Sequence, residues 1–352
     1  MAAAGLGILL AASAVLPAQR KKKNEEPKPQ VLPLPPELPM AIAADAGTLD
    51  FHISPLLKTG GLLAQIRQSL NDLIRDTHGE TILKLRAFVA GAGDARRVQA
   101  EAVDIFSERK LPLPVLSIVQ IGALGDEAAE VVIEAVVSTH RVVNPSGLAF
   151  AAGQTGRSLS EAVQHLQNTV AAAGIEPARV LTLTCFTSRI EDFDATRAGV
   201  LRLFPNSAVN VVQALRDPPN DNSMCEAVAQ LSQAPTQAPL VWLSNSRVAL
   251  VSSQQLIFTG LQLTFGSFLD DAHEAFLRLE RAASAIQPVE APVEVNAFSL
   301  NAYAGSALRK TTSFPPSTFT VQTIEGLQAI DATAGIEAVL APNVQSPITL
   351  PQ

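Results

Sequence analysis

Residues 141–230 carry the pattern that decides the fold, and they read RVVNPSGLAFAAGQTGRSLSEAVQHLQNTVAAAGIEPARVLTLTCFTSRIEDFDATRAGVLRLFPNSAVNVVQALRDPPNDNSMCEAVAQ. Two apolar runs on either side of a Pro-Ser-Gly turn predict a β-hairpin. Ser158 and Glu161 have capping-box spacing, so a helix is expected to start there. Its apolar stripe runs as far as Gly174, a residue that favours a helix end. An alternating strand over 180–187, a short helix over 194–203 and two more strands complete the order β-β-α-β-α-β-β, a small α+β domain.

The same pattern occurs twice more in the chain, once before and once after this stretch. Each unit is about 100 residues long, and repetition at a fixed period is the first feature to seek in a sequence. The repeated motifs are SIVQ at 117–120, NVVQ at 210–213 and FTVQ at 319–322, followed by IEAV at 133–136, CEAV at 225–228 and IEAV at 336–339. Further hairpins are expected from MAIAAD with TLDFHIS and from RVALVSS with QLIFTGLQL.

The central unit resembles the Rid family, the YjgF-type reactive-intermediate deaminases. The resemblance rests on AAGQTG at 151–156, the helix ending AAAG, TLTCFTSRIEDF at 182–193, and the ending VVQALRDPP followed by CEAV. Rid proteins are typically trimers of one small domain, with ligand clefts between the subunits. The resemblance therefore implies an α+β chain of three tandem Rid-like (chorismate-mutase-like) domains that form an intramolecular pseudo-trimer and remain monomeric in solution.

These observations divide the chain into six segments. We expect a signal-peptide-like segment, a charged and proline-rich linker, three Rid-like domains and a short tail. Their limits are 1–18, 19–38, 39–139, 140–236, 237–344 and 345–352.

In the family, an arginine on the penultimate strand binds the substrate carboxylate, a task that suits the planar guanidinium. Matching the strands places Leu116, Val209 and Thr318 at that position, so no copy has the arginine. The resemblance therefore implies that the usual carboxylate-binding site has been lost from all three copies.

Glu134, Glu226 and Glu337 match the glutamate with which the family positions water for attack on a C=N carbon. They are the candidate catalytic residues. The alternative is a structural role for each carboxylate, bonded to backbone amides or to a serine. Because the arginine is missing, we expect a protein that binds a small metabolite in clefts between the domains, or a scaffold. The alternative is an imine or enamine deaminase with an altered substrate.

Other side chains could contact a ligand, although each also has an ordinary structural interpretation. Thr259 and Ser54 lie near the place of a serine that bonds the substrate in the family, and Arg86, Lys84 or Arg216 could supply a substitute positive charge.

The cysteines and histidines indicate no cofactor or metal site. Cys185 and Cys225 are the only cysteines, and each occurs in a core-like strand, so we expect two buried free thiols and keep a disulfide as the alternative. The five histidines occur singly, without the spacing of metal ligands.

Composition and the amino-terminal residues limit the choice of partners and location. A net charge of −7 and a single Trp and Tyr disfavour nucleic-acid binding. Residues 2–18 have the length of a signal-peptide core, which predicts export. The basic run at 20–23 could hold the chain at an anionic membrane surface, and a cytoplasmic location is the alternative.

Overall fold

A computed structural model describes residues 36–91, 93–243, 247–311 and 318–342. Within them the chain forms six α-helices, two for each repeat. The helices are α1 Leu62–Asp76, α2 Arg96–Glu108, α3 Leu159–Ala172, α4 Phe193–Leu203, α5 Leu269–Ser284 and α6 Ala302–Thr311. The capping box predicted at the start of α3 is confirmed, because the Glu161 amide donates to Ser158 Oγ at 3.2 Å.

The strands of the described residues build three mixed sheets, each with one parallel pair. The strands are β1 Ala41–Asp45, β2 Leu49–Ile53, β3 Thr81–Ala90, β4 Val115–Ile121, β5 Val131–Ser138, β6 Leu148–Gly156, β7 Val180–Thr187, β8 Ala208–Gln213, β9 Ser223–Gln230, β10 Leu240–Leu243, β11 Val248–Val251, β12 Gln255–Thr259, β13 Gln262–Thr264, β14 Val289–Ser299, β15 Thr318–Thr323, β16 Gly326–Leu327 and β17 Ala334–Pro342. Sheet I has the order β16-β4-β3-β5-β2, sheet II β10-β11-β6-β9-β7-β8, and sheet III β1-β12-β17-β14-β15 with β13 also on β17.

Each sheet packs its outer face on two helices and its inner face on the other two sheets. The outer cores pair α1 and α2 with sheet I, α3 and α4 with sheet II, and α5 and α6 with sheet III. The inner faces meet in two apolar clusters to which all three sheets contribute. One contains Phe150, Phe258 and Val339, and the other is built around Phe88, Phe186 and Phe298.

The three predicted hairpins are wrong, because consecutive strands join different sheets. Strand β1 pairs with β12 of sheet III, whereas β2 pairs with β5 of sheet I. Likewise β11 pairs with β6 of sheet II, whereas β12 enters sheet III. Residues 141–147 form no strand before β6. The short turn at 46–48 redirects the chain instead, with the Asp45 side chain accepting from the Gly47 amide at 2.7 Å.

The predicted architecture, a pseudo-trimer of three Rid-like (chorismate-mutase-like) domains, is therefore wrong. The chain has three mixed sheets and six helices among its described residues, and its sheets exchange strands. In addition to β1, the two-residue strand β16 from the last part of the chain completes sheet I by pairing with β4. A repeated sequence indicates repeated elements, but it does not show to which sheet each edge strand belongs. The domain limits 39–139, 140–236 and 237–344 stay predictions.

The predicted free thiols are also wrong, since Cys185 and Cys225 form a disulfide. The two residues are directly opposite each other on β7 and β9, with Cα atoms 4.1 Å apart. A cross-strand pair of this kind brings the side chains within bonding reach. Sequence spacing alone did not reveal that these two strands are neighbours.

Several expectations concern residues outside the described ranges. The signal-peptide-like segment 1–18, most of the linker 19–38 and the tail 345–352 lie there. Among the described residues, no helix is long and apolar enough to span a bilayer. Export, membrane-surface association, a monomeric state and the absence of nucleic-acid binding stay predictions.

Candidate functional site in the central cavity

The inner strand of each sheet carries the same five-residue pattern, in which polar residues alternate with apolar ones before a phenylalanine. It reads KLRAF at 84–88 on β3, TLTCF at 182–186 on β7 and EVNAF at 294–298 on β14. Side chains on a strand alternate between its faces, so the polar residues and the phenylalanine share one face. That face is the inner one, since the three phenylalanines lie in one apolar cluster and two of their pairs have ring centroids 5.8 and 6.1 Å apart.

The three candidate glutamates lie on the neighbouring strands, directly opposite this pattern. Glu134 pairs with Arg86, Glu226 with Thr184 and Glu337 with Asn296. The equivalent registers bring all three glutamates to one centre between the sheets.

Arg86 joins these glutamates. Its Nη1 lies 2.8 Å from Glu226 Oε1 and 3.5 Å from Glu134 Oε2, and its Nε and Nη2 lie 2.8 and 2.5 Å from Glu337 Oε1. The guanidinium is also 5.9 Å from the centre of the Phe298 ring. A cation from sheet I thus binds one carboxylate from each of the three sheets.

Glu134 is held from sheet II by two further side chains. Thr184 Oγ1 donates to its Oε1 at 2.6 Å, and Asn210 Nδ2 donates to the same oxygen at 2.7 Å. The Glu134 side chain is 16% exposed, whereas Thr184 is buried. A hydroxyl and a carboxylate therefore share a short hydrogen bond at the centre of the molecule.

Glu226 and Glu337 are held in the same way by the next sheet around the centre. With the Asn296 amide oriented to satisfy both neighbours, its nitrogen donates to Glu226 Oε2 at 3.1 Å and its oxygen accepts from Arg86 at 2.9 Å. Glu337 Oε2 forms an ion pair with Lys84 Nζ at 2.9 Å. Each glutamate thus bonds a side chain of the next sheet. Glu134 of sheet I contacts sheet II, Glu226 of sheet II contacts sheet III, and Glu337 of sheet III contacts sheet I.

Arg86 and Glu337 form the strongly ionised part of this cluster. Burial lowers the pKa of Arg86, but Glu337, Glu226 and Glu134 outweigh it and hold that pKa well above the usual value. Burial likewise acts to raise the pKa of Glu337, but Arg86 and Lys84 outweigh it and hold that pKa at about 2. Both groups stay charged at neutral pH.

Burial dominates at three further groups, Glu294, Glu226 and Lys84. It raises the pKa of Glu294 to about 8, with the charge of Glu226 adding to the effect. It also raises the pKa of Glu226, although Arg86 opposes the shift. Burial lowers the pKa of Lys84, against the attraction of Glu337. Groups whose pKa values are displaced in opposite directions around one cavity are typical of sites that perform chemistry.

A cavity of about 70 Å³ lies against this cluster. Part of its lining is polar and charged, and the apolar part includes Phe51, Phe150, Phe258 and three valines. The polar lining consists of Lys84, Arg86, Glu134, Thr182, Thr184, Glu226 and Glu294, with His52 beside it. At about 10–15 Å³ of such volume for each water, the cavity holds about five water-sized groups.

The larger surface clefts do not contain the three glutamates. A cleft of about 760 Å³ between sheets I and II is lined by Ser54 and Asn210, and another of about 870 Å³ is lined by Gln120 and residues near β16. We therefore take the small central cavity as the candidate site, because the ionisable and hydroxyl groups meet there.

Two of the predicted ligand-binding residues have structural partners. Ser54 Oγ accepts from the Ile133 amide at 2.9 Å. Thr259 Oγ1 accepts from the Ala338 amide at 2.9 Å. Arg86, the third, is at the centre, but the protein's own carboxylates occupy its guanidinium.

The residues that match the substrate-binding arginine of the Rid family do not line this cavity. Leu116 and Val209 do not line it, and Thr318 donates to the Val293 carbonyl at 2.9 Å. The proposal that Arg86 substitutes for the lost arginine is not supported, because a substrate carboxylate would have to displace Glu134, Glu226 or Glu337.

Sequence reasoning missed four residues of the site, Thr184, Asn210, Glu294 and Asn296, and named Lys84 only as a possible substitute cation. For Thr184, Glu294 and Asn296 the signal was a polar side chain at the same place in an otherwise apolar strand of each repeat. Comparing KLRAF, TLTCF and EVNAF with one another would have revealed it.

Comparisons with known proteins give distant similarities. No family model matches the chain, and no curated protein matches it. Among solved structures, cyanuric acid hydrolase from A. caulinodans is 12% identical, with a TM-score of 0.23 over 87% of this chain and 100% of that one. A chorismatase has the same identity and TM-score over 85% and 99%. PurLQS from Thermotoga maritima is 9% identical, with a TM-score of 0.33 over 89% and 74%.

These findings correct the resemblance to the Rid family. The chain matches no family model, and the solved structures reported above carry other names, among them a hydrolase and a chorismatase. The predicted function, metabolite binding in clefts between Rid-like domains or a scaffold, with an imine deaminase as the alternative, is wrong as well. The three glutamates lie in one shared centre rather than in separate clefts. TM-scores this low transfer no activity to this chain.

Proposed function

We propose that the protein is a hydrolase whose active site is the central cavity, with Thr184 as nucleophile and Glu134 as its base. The observation that carries the proposal is the 2.6 Å hydrogen bond from Thr184 Oγ1 to Glu134 Oε1 on the cavity wall. A nucleophile and a base within 2.6–3.2 Å, with the base oriented by a third group, is the arrangement that covalent catalysis requires. Asn210 is that third group, at 2.7 Å from the same oxygen.

The surroundings of Glu134 suit a base that must keep one orientation. Asn210 and Arg86 fix its two oxygens, and the carboxylate is partly exposed to the cavity. A general base acts first through its geometry, by being within hydrogen-bond reach of the proton it removes. Glu134 meets this condition before any substrate is bound.

The chemistry follows from these contacts. Glu134 takes the hydroxyl proton while Thr184 Oγ1 forms a bond to the carbonyl carbon of the substrate. As the tetrahedral intermediate collapses, the bond to the leaving group breaks, and Glu134 returns the proton to that group. Water then attacks the acyl group on Thr184 with Glu134 again as base, which releases an acid and restores the hydroxyl.

The cavity restricts the substrate to a compact amide or ester. About five water-sized groups fit, and the neighbouring phenylalanines can contact only a short apolar part. Hydrolysis is also the reaction class in the name of cyanuric acid hydrolase, but the proposal rests on the geometry of this cavity.

The proposal can be tested by incubating the pure protein with a panel of small amides and methyl esters and measuring ammonia or acid release. We expect the substitutions Thr184→Val and Glu134→Gln each to lower the rate of hydrolysis by about 10²–10⁴-fold. Thr187→Val is the matched control, because Thr187 is a buried hydroxyl on the same strand that bonds Ser223 and does not line the cavity. Full activity in Thr184→Val would contradict the proposal.

A further inference from the structure

The cluster beside the central cavity has more carboxyl groups than cations. Four carboxyl groups, those of Glu134, Glu226, Glu294 and Glu337, face two cations, Lys84 and Arg86. Arg86 contacts three of the carboxylates, and Lys84 contacts one of those three. The fourth carboxyl, Glu294, is left over.

Glu294 differs from the other three in its contacts. Among the described residues, no side chain or amide forms a hydrogen bond or ion pair with its carboxyl group. The residue is only 8% exposed, and it lines the cavity. A buried carboxyl group without a partner costs free energy, so a polar group is expected to meet it in the functional state.

The position of Glu294 in the repeat supports a role in the cavity. It occupies the first place of EVNAF, and the equivalent places are Lys84 in KLRAF and Thr182 in TLTCF. All three side chains line the cavity. Each lies two residues before Arg86, Thr184 or Asn296 on its strand. At this position sheet III therefore has a carboxyl group, sheet I has an amine and sheet II has a hydroxyl.

The apolar part of the cavity wall favours a cation with an apolar part. Phe51, Phe150 and Phe258, one from each sheet, line the same cavity as Glu294. Aromatic faces attract organic cations, and a carboxylate close to such rings adds a charge-assisted hydrogen bond. An anion would find no free cation there, since Arg86 and Lys84 already have carboxylate partners.

We propose that the substrate carries a positively charged nitrogen group, an ammonium or amidinium, and that the Glu294 carboxylate binds it. This inference rests on the proposed hydrolase function and specifies its substrate class: a small amide or ester with a cationic group. Glu294 is a binding residue in this account, and Thr184 and Glu134 perform the chemistry.

Other charged groups around Glu294 determine how strongly a cation binds. Glu226 on β9 and Glu337 on β17 favour the cation, whereas Lys84 and Arg86 on β3 oppose it. Because its pKa is about 8, Glu294 is mostly protonated at neutral pH, so a cation must displace that proton. Binding is therefore expected to release a proton and to strengthen as pH rises toward about 8.

The test uses three probes of the same shape and different charge: acetamidine, acetamide and acetate, which are cationic, neutral and anionic. Their binding to the full chain carrying Thr184→Val is measured by calorimetry, so that the result does not depend on turnover. We expect acetamidine to bind roughly tenfold to hundredfold more tightly than acetamide, as a charge-assisted hydrogen bond implies, and acetate not to bind. Adding Glu294→Gln should abolish the preference and the proton release.

Glu290→Gln is the matched control, because Glu290 is an exposed glutamate on the same strand. It should leave the preference unchanged. Equal binding of acetamide and acetamidine, or an unchanged preference in Glu294→Gln, would overturn the inference. If the wild-type protein hydrolyses propanamide as fast as its cationic isostere glycinamide, this inference fails and the hydrolase proposal stands. If acetamidine binds through Glu294 and no amide or ester is hydrolysed, the hydrolase proposal fails instead.

Discussion

Arg86 Nη1 lies 2.8 Å from Glu226 Oε1, an ion pair that joins sheet I to sheet II in the interior of the molecule. The two residues are far apart in the sequence, and both side chains are almost fully buried, at 12% and 8% exposure. The same guanidinium also contacts Glu134 and Glu337. Arg86 therefore stabilises the packing of all three sheets, in addition to forming one wall of the cavity.

Removal of the Arg86 charge is expected to destabilise the fold strongly. Arg86→Met would leave Glu134, Glu226 and Glu337 buried without their shared cation, and breaking a buried pair in this way costs about 3–5 kcal/mol. The free energy of unfolding from urea titration measures the loss. Arg97→Met, which removes an exposed cation from α2, is the control and should change stability by less than about 0.5 kcal/mol. A small effect at Arg86 would show that the cluster does not hold the sheets together.

Acid is expected to weaken the protein through Glu337. Its pKa is about 2 in the folded state against an ordinary 4.5, so its contribution is present above pH 4.5 and is lost as pH falls toward about 2. The contribution is on the order of 3 kcal/mol. Comparison of unfolding curves for wild type and Glu337→Gln between these pH values measures it. Parallel pH profiles for the two proteins would contradict the assignment.

Glu294 is expected to have the opposite pH dependence. Its pKa is raised to about 8, so the folded state binds its proton more tightly than the unfolded state, and the stabilisation present below pH 4.5 is lost as pH rises to about 8. Glu294→Gln cannot ionise. The melting temperature of this variant should therefore rise relative to wild type as pH increases from 5 to 8, and a constant difference would contradict the prediction.

The disulfide between Cys185 and Cys225 is expected to stabilise the middle unit. It closes a loop with a sequence separation of 40, for which the chain-entropy model gives about 4 kcal/mol. Reduction should lower the melting temperature of the wild-type protein. The double variant with Cys185→Ala and Cys225→Ala should start from a lower value and be insensitive to the reductant. Free thiols in the unreduced protein, detected by alkylation and mass spectrometry, would contradict the pairing.

The sequence was sufficient to predict the local elements but not their partners. Helical periodicity and the Ser158 cap placed α3, and alternating apolar residues placed β7, because both signals come from neighbours in the chain. The pairing of β1 with β12 depends on residues more than 200 positions apart, and no local signal contains it. The repeats therefore indicated three similar sets of elements, while the exchange of edge strands became visible only in the folded chain.

The site was predicted in the same partial way. Glu134, Glu226 and Glu337 were found because they recur at one place in a repeated strand. Their convergence on Arg86 required the three sheets to face one another. A single charged residue in a strand looks like a surface residue until its strand is known to be central, which is why Glu294 was not recognised as part of the site.

The central claim is that Thr184 and Glu134 act as one catalytic unit, and a double-mutant kinetic cycle tests it most directly. The measurement is kcat/KM for hydrolysis of glycine methyl ester by wild type, Thr184→Val, Glu134→Gln and the double variant. Residues that act as a unit have strongly non-additive effects. The account predicts that the double variant is about as slow as the slower single variant. Independent effects that multiply in the double variant, or single variants as active as wild type, would contradict it.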